Sequence, residues 1–236
     1  MDSKPVALVT GASRGIGRAA AIALARAGYR CALAARNAEG LEETAALCPG
    51  AAETFPVDLA APGAPERLAA DVLGTAGRID VLINNAGAAL SRPFEDTEAS
   101  DWDALMTLNA KAPFLLTRAL LPALKRSPAA TVVNIGSVVS FKGYQFQAAY
   151  TASKHALAGW TKSLAREVAT AGVRVHLIAP GGVATDMVLG VRPDIDPSDL
   201  ICPEDVADTV LFLVTHRGNA VIDVVEMHRK GKTPFA

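Results

Sequence analysis

Short aliphatic runs alternate with longer segments of helical period along the chain. The runs Val6–Thr10, Arg30–Ala35, Thr54–Val57, Val81–Asn84, Thr131–Ile135, Arg174–Ala179 and Val221–Glu226 predict seven strands. Several are apolar without a break rather than alternating, the pattern of strands covered on both faces. The segments Ile16–Ala27, Ala38–Leu47, Ala64–Ala76, Asp101–Lys125, Ala148–Ala171 and Pro203–Thr215 carry a 3.6-residue period with few breakers and predict helices. Pro113 and Pro122 fall inside the fourth, which predicts a kink or a shortening there. Alternating strands and helices with short connections imply right-handed crossovers. The expected fold is therefore α/β, a doubly wound and mostly parallel seven-stranded sheet with helices on both faces. No repeat or linker divides the sequence, so residues 1–236 are expected to form one domain. Only Asp186–Cys202, with Pro193 and Pro197, is long and irregular, and a loop of that length often serves as a substrate lid.

Composition narrows the function classes. Half of the 236 residues are hydrophobic, enough for a large core. The net charge is −1 and no Lys/Arg run occurs, which argues against nucleic acid or an anionic membrane as the main partner. Cys31, Cys48 and Cys202 are scattered, with no Cys-x-x-Cys spacing, so free thiols of a cytoplasmic protein are expected rather than a disulfide framework or a zinc site. Met1–Lys4 is polar and leads straight into a strand, so no signal peptide is expected. The apolar stretches are broken by residues such as Arg26 and Arg30, short of the about 20 residues of a membrane helix. His155, His176, His216 and His228 lack ligand spacing, and no metal is expected; His155 follows Lys154 and should face elsewhere on its helix.

Candidate chemistry begins at the first strand, which runs into Thr10-Gly11-Ala12-Ser13-Arg14-Gly15-Ile16-Gly17 and then a helical pattern. Glycines there permit a tight turn and let backbone N–H groups approach a pyrophosphate at the helix N-terminus. A plain glycine-rich turn would show similar spacing. Its position after the first strand of a βαβ unit favours the dinucleotide reading. Tyr150 and Lys154 are four apart, on one face of a predicted helix. By itself that pair is a weak signal, since many surface helices carry one. Ser137 ends the fifth strand thirteen positions earlier, and Asn109 lies further upstream.

The spacing GxxxGxG preceded by Thr, with Asn109, Ser137, Tyr150 and Lys154 in that order, resembles the single-domain form of the short-chain dehydrogenase/reductase family. The resemblance implies a Rossmann-like fold and a nicotinamide-dependent oxidoreductase acting on C=O and CH–OH groups. It implies a proton donor and acceptor in Tyr150, and in Lys154 a cation that lowers the phenol pKa and holds the nicotinamide ribose. Ser137 is implied as a donor to the substrate oxygen. Asn109 is implied to fix a helix irregularity and a water leading from Lys154 to solvent. Expected cofactor contacts are Gly11, Ser13, Arg14, Gly15, Ile16 and Gly17 in the turn, Asp58 and Leu59 after the third strand, Asn85, Ala86 and Gly87 after the fourth, Tyr150 and Lys154, and Pro180, Gly181, Val183 and Thr185 after the sixth. Asp58 is implied to contact adenine, although an Asp at a strand end is commonly a helix N-cap. The amides of Asn84 and Asn85 can satisfy buried backbone groups. An acid at the end of the second strand would favour NAD(H); here Ala35-Arg36-Asn37 lacks one. Arg36 and Arg14 together suit a phosphate monoester, so NADP(H) is expected in preference to NAD(H), with NAD(H) still possible.

The expected substrate pocket is formed by Ser91–Phe94, Val138–Phe146 and the loop after Thr185, with Phe94, Val139, Phe141, Tyr144 and Met187 as contacts and Leu189 nearby. These residues suit an uncharged or partly apolar ketone or alcohol, though some of them could equally pack the core. Arg192 would meet a carboxylate, or stand as an exposed loop residue. The leading expectation is an NADPH-dependent carbonyl reductase. The alternatives are a 3-hydroxy-acid or serine-type dehydrogenase, a β-ketoacyl-thioester reductase using Lys125, Arg126 and Lys162 for a carrier protein, and a non-catalytic cofactor-sensing scaffold. Asn219–Lys230 lacks the Asp-Gly-Gly ending common in the family and is more similar to the serine and 3-hydroxy-acid subgroup. A homodimer or homotetramer is expected, with the helices of Asp101–Lys125 and Ala148–Ala171 available to pair across a two-fold axis.

Overall fold

The computed structural model describes residues 4–191 and 195–232. Seven strands form one parallel sheet in the order β3-β2-β1-β4-β5-β6-β7. They are β1 Val6–Thr10, β2 Arg30–Ala35, β3 Ala52–Pro56, β4 Val81–Asn84, β5 Thr131–Ile135, β6 Arg174–Pro180 and β7 Val224–Met227. The helices are α1 Gly15–Arg26, α2 Ala38–Leu47, α3 Ala64–Ala76, α4 Ala99–Met106, α5 Ala112–Leu124, α6 Ala148–Val168, α7 Asp186–Val191 and α8 Pro203–Thr215. The expected doubly wound architecture is the one observed.

The unbroken apolar strands have a direct cause. Val9, Leu33, Ile83 and Val133 face one core, with Ala20 and Leu24 of α1 and Val206, Val210 and Leu213 of α8. Their neighbours Leu8, Ala32, Leu82 and Val132 face the other, with Leu68 of α3, Leu116 and Leu120 of α5 and Val168 of α6. Successive side chains point to opposite faces, and both faces are dry.

Three boundaries differ from expectation. The edge strand β3 begins at Ala52, pairing with Cys31 of β2, and ends on Pro56, whose missing N–H is tolerated at an edge. β7 begins at Val224, not Val221. The ring of His176 hydrogen-bonds the Ile222 carbonyl at 2.6 Å, and ladder pairing with β6 starts only at Leu177 with Val224. The segment Asp101–Lys125 is not one kinked helix. A π turn, Thr107–Lys111, separates α4 from α5. Pro113 follows it and has no N–H to return to the Asn109 carbonyl four residues back, which favours a widened turn. Pro122 sits near the end of α5 without breaking it.

Candidate active site

The strand order reverses direction between β1 and β4, and a cleft of about 940 Å³ opens there, outside the carboxyl ends of the strands. One end is lined by Arg36, Asn37 and Asp58, the middle by the glycine turn, and the other end by Ser137, Tyr150 and Lys154. Every expected cofactor residue lines this cleft except Gly17, which is buried beneath it. A Cβ on Gly17 would lie 2.2 Å from the Gly11 carbonyl oxygen, and one on Gly11, at φ +66°, would lie 2.7 Å from Asn85 Nδ2. Only glycine lets α1 start that close to β4. α1 has no acidic residue in its first turn and no side-chain cap, so its N-terminal N–H groups suit an anion.

Polar side chains lock the cradle. Thr10 Oγ1 accepts from the backbone N–H groups of Asn85 and Ala86 at 3.0 and 3.1 Å. Asn85 Nδ2 donates to the Thr10 and Gly11 carbonyls at 2.9 and 3.2 Å. Asn84 departs from expectation. Its amide donates to Thr117 Oγ1 and Asn134 Oδ1 rather than to backbone, because its side chain points into the core beside α5. Asp58 Oδ1 accepts from the Ala60 N–H at 3.0 Å, a local turn contact. Arg14 Nη1 lies 2.7 Å from Asp186 Oδ2.

At the far end, β5, the π turn and α6 bring the four predicted polar residues into one neighbourhood. Ser137 lies near enough to the Tyr150 phenol to pull its pKa down, and its hydroxyl accepts from the Val139 N–H at 3.4 Å. Lys154 Nζ is buried, donates to the Ile135 carbonyl at 2.9 Å and lies 6.0 Å from the Tyr150 ring centre. Burial lowers the Lys154 pKa to about 8. Burial pushes Tyr150 above the usual phenol range, against the smaller opposing pull of Ser137. The expected lowering of Tyr150 by Lys154 is thus not met by the protein's own groups: desolvation wins. Asn109 lies in the π turn, the irregularity expected of it. It grips Ala88 from both ends of its amide, accepting from the Ala88 N–H at 2.8 Å and donating to its carbonyl at 2.9 Å. Its Nδ2 also donates to Ser153 Oγ at 2.9 Å, and Ser153 Oγ donates to the Tyr150 carbonyl at 2.7 Å. Nothing in the local sequence around Ser153 marks it for this part.

Of the five expected substrate contacts, only Met187 lines the cleft. Val139 is buried at 2% exposure, and Phe141 is half-buried beneath the Lys162 ammonium, 5.1 Å from its ring centre. Phe94 and Tyr144 stand in solvent outside the cleft. Leu108, Ile135 and Val188 line it instead. Arg192 lies outside the described residues. His155 is exposed, with its ring against the Thr151 carbonyl, away from Lys154.

A cleft at the switch point of a doubly wound sheet is where this architecture accepts ligands such as dinucleotides. A sequence model of the short chain dehydrogenase family matches residues 5–196. The 3-oxoacyl-[acyl-carrier-protein] reductase of Synechocystis is 36% identical over 226 residues, 92% of each chain. Among solved structures, the alcohol dehydrogenase of Thermococcus sibiricus, complexed with 5-hydroxy-NADP, superposes with a TM-score of 0.90 at 27% identity, covering 98% of this chain and 99% of that one. A metagenomic short-chain oxidoreductase in complex with NADP gives 0.82 at 38% identity, covering 95% and 97%. The chain belongs to the short-chain dehydrogenase family and is an NAD(P)-dependent oxidoreductase acting on CH–OH and C=O groups.

Proposed function

We propose that the protein is an NADPH-dependent carbonyl reductase, with residues 1–236 forming one cofactor-binding and catalytic domain. The observation that carries this reading is the Lys154 ammonium buried beside the Tyr150 ring at the end of the cleft that Ser137 also lines. The cofactor, when bound, supplies the hydride. Ser137 polarises the substrate oxygen and stabilises the charge that develops there. Tyr150, held protonated by burial, delivers its proton to that oxygen. Lys154 then favours the phenolate left behind, and Asn109 holds the segment on which both stand.

NADPH is favoured over NADH by Arg14 and Arg36 at the adenosine end and by the absence of an acid at the end of β2. Among the described residues, no hydrogen bond or ion pair engages Arg36, so its donors are available. Leu108, Ile135, Val188 and Met187 on the cleft wall suit an uncharged or partly apolar ketone. The Synechocystis relative supports a second reading, reduction of a 3-oxoacyl thioester. The basic residues expected for a carrier protein argue against it. Lys125 and Arg126 follow α5 at the strand-start edge, opposite the cleft, and Lys162 is turned toward Phe141. Following NADPH and NADH oxidation against ketones, 3-keto acids and 3-oxoacyl thioesters decides between the readings. No turnover of any carbonyl would sink both, and a kcat/KM ratio of NADPH over NADH below one would sink the cofactor assignment.

Two further parts of the proposal concern assembly and location. Phe114 of α5 and Trp160 of α6 meet edge to face at 5.9 Å and border a cavity of about 590 Å³ with Met106. Phe114 is 46% exposed, which supports a homodimer or homotetramer formed through this face. Light scattering of wild type and Phe114→Glu tests it; a monomeric wild type is the contrary result. The three unpaired cysteines suit a cytoplasmic location. No helix among the described residues is long and apolar enough to cross a membrane.

A further inference from the structure

We infer that Asp186 is a specificity-determining positioning residue, which weakens discrimination for the phosphorylated cofactor by holding Arg14. The inference rests on the proposal that the 2′-phosphate of NADPH is bound by Arg14 and Arg36. β2 ends without the acid that would disfavour that phosphate. The structure supplies one from far along the chain: Asp186, 172 residues after Arg14, lines the same cleft and accepts a hydrogen bond from Arg14 Nη1 at 2.7 Å.

The surrounding backbone fixes this approach. The segment before Asp186 is pinned to Ile201, by Ala184 N–H to the Ile201 carbonyl at 2.8 Å and Ile201 N–H to the Gly182 carbonyl at 3.0 Å. The side chain of Thr185 rests on the glycine turn, where a Cβ on Gly15 would meet its methyl at 3.0 Å. Asp186 is therefore delivered to Arg14 by the fold rather than by a chance side-chain excursion. Both partners are about two-thirds exposed, so the pair is weak enough to exchange for a stronger ligand. A phosphate monoester carries nearly two negative charges at neutral pH. With Arg36 and an unengaged Arg14 it meets two available guanidinium groups; with Asp186 present, Arg14 must first be released from its ion pair. Asp186 thus costs NADPH affinity while leaving NADH, which has no phosphate there, untouched. Among the described residues Arg36 makes no such pair, and it serves as the unopposed anchor.

The test is direct binding of NADPH and NADH, read by nicotinamide fluorescence, in wild type, Asp186→Asn, Asp186→Ser, Arg14→Ala and the Arg14→Ala/Asp186→Asn double variant. Asp186→Asn and Asp186→Ser should raise the ratio Kd(NADH)/Kd(NADPH) about two- to five-fold, the range of an exposed ion pair, through tighter NADPH binding. In the Arg14→Ala background the same change should have no effect. An unchanged or lower ratio in both single variants overturns the inference. So does an equal rise with and without Arg14, since Asp186 would then act on the phosphate directly. The wild-type ratio by itself tests the NADPH reading, and the change on substitution tests Asp186, so the two fail separately.

Discussion

Asn109 Nδ2 donates to Ser153 Oγ at 2.9 Å, which fastens the π turn to α6 one residue before Lys154. The two residues are 44 apart in sequence, and both are buried. Through this bond the chain joins the loop after β4, held by Asn109 at Ala88, to the helix that carries Tyr150 and Lys154. Losing either partner leaves a buried polar group unpaired, at about 1–3 kcal/mol. Ser153→Ala and Asn109→Ala should each lower stability by that amount in urea unfolding. The double variant should cost less than the two losses added together. Full additivity would show that the bond is not formed.

On the proposed mechanism, Tyr150→Phe removes the hydroxyl that delivers the proton to the substrate oxygen. Turnover should be abolished while NADPH binding, dominated by the glycine turn and the arginines, is unchanged. A variant keeping more than about a tenth of the wild-type kcat would remove Tyr150 from the role of acid.

The pH profile should report Lys154. Burial brings its pKa down to about 8, whereas Tyr150 is pushed up and stays protonated through the neutral range. Reduction needs the ammonium beside the phenol. The value of kcat/KM for carbonyl reduction should therefore be level below about pH 8 and fall as pH rises through that value. Lys154→Arg, cationic throughout this range, should lose that falling limb whatever its residual activity. A wild-type profile still level at pH well above 8 would contradict this account.

Asp80 predicts an acid limit to stability. It is buried, accepts from the Val6 N–H at 2.8 Å, binds Arg78 through both oxygens, and receives the Ser127 hydroxyl. Burial raises its pKa, but these donors together outweigh burial and hold it below the usual carboxylate value of 3.8. Because the folded-state pKa is lowered, the stability it contributes is present above pH 3.8 and is lost as pH falls through the lower folded value. Asp80→Ala should cost about 3 kcal/mol at neutral pH, since it leaves Val6, Arg78 and Ser127 without their acceptor. Urea unfolding at neutral and acid pH checks both statements. A loss below about 1 kcal/mol would show that water replaces the carboxylate.

Arg36→Leu should weaken NADPH binding by about ten-fold or more, the usual worth of a charge-assisted hydrogen bond, and leave NADH binding nearly unchanged. Equal losses for both cofactors would place Arg36 against a group that the two share.

The doubly wound sheet and the polar end of the cleft are legible in the sequence. The unbroken apolar runs and the intervening helical periods are local properties, and they specify such a sheet because each strand must be covered twice. The glycine turn and the Tyr150–Lys154 spacing are likewise local, and the family resemblance adds Asn109 and Ser137 to them. The substrate residues are not legible in the same way. An apolar residue in a loop reads alike whether it packs inward like Val139, lies under a cation like Phe141, or stands in water like Phe94.

What the sequence by itself determined is the set of elements and the identity of the groups on them, because helix period, strand period and glycine conformations act over a few residues. The tertiary structure decided which distant groups meet. Ser153 became the partner of Asn109, Asp186 the partner of Arg14, and the Ile222 carbonyl just ahead of β7 the partner of the His176 ring. It also decided which way the pKa of Tyr150 moves, because desolvation depends on everything packed around the ring and no spacing along the chain encodes it.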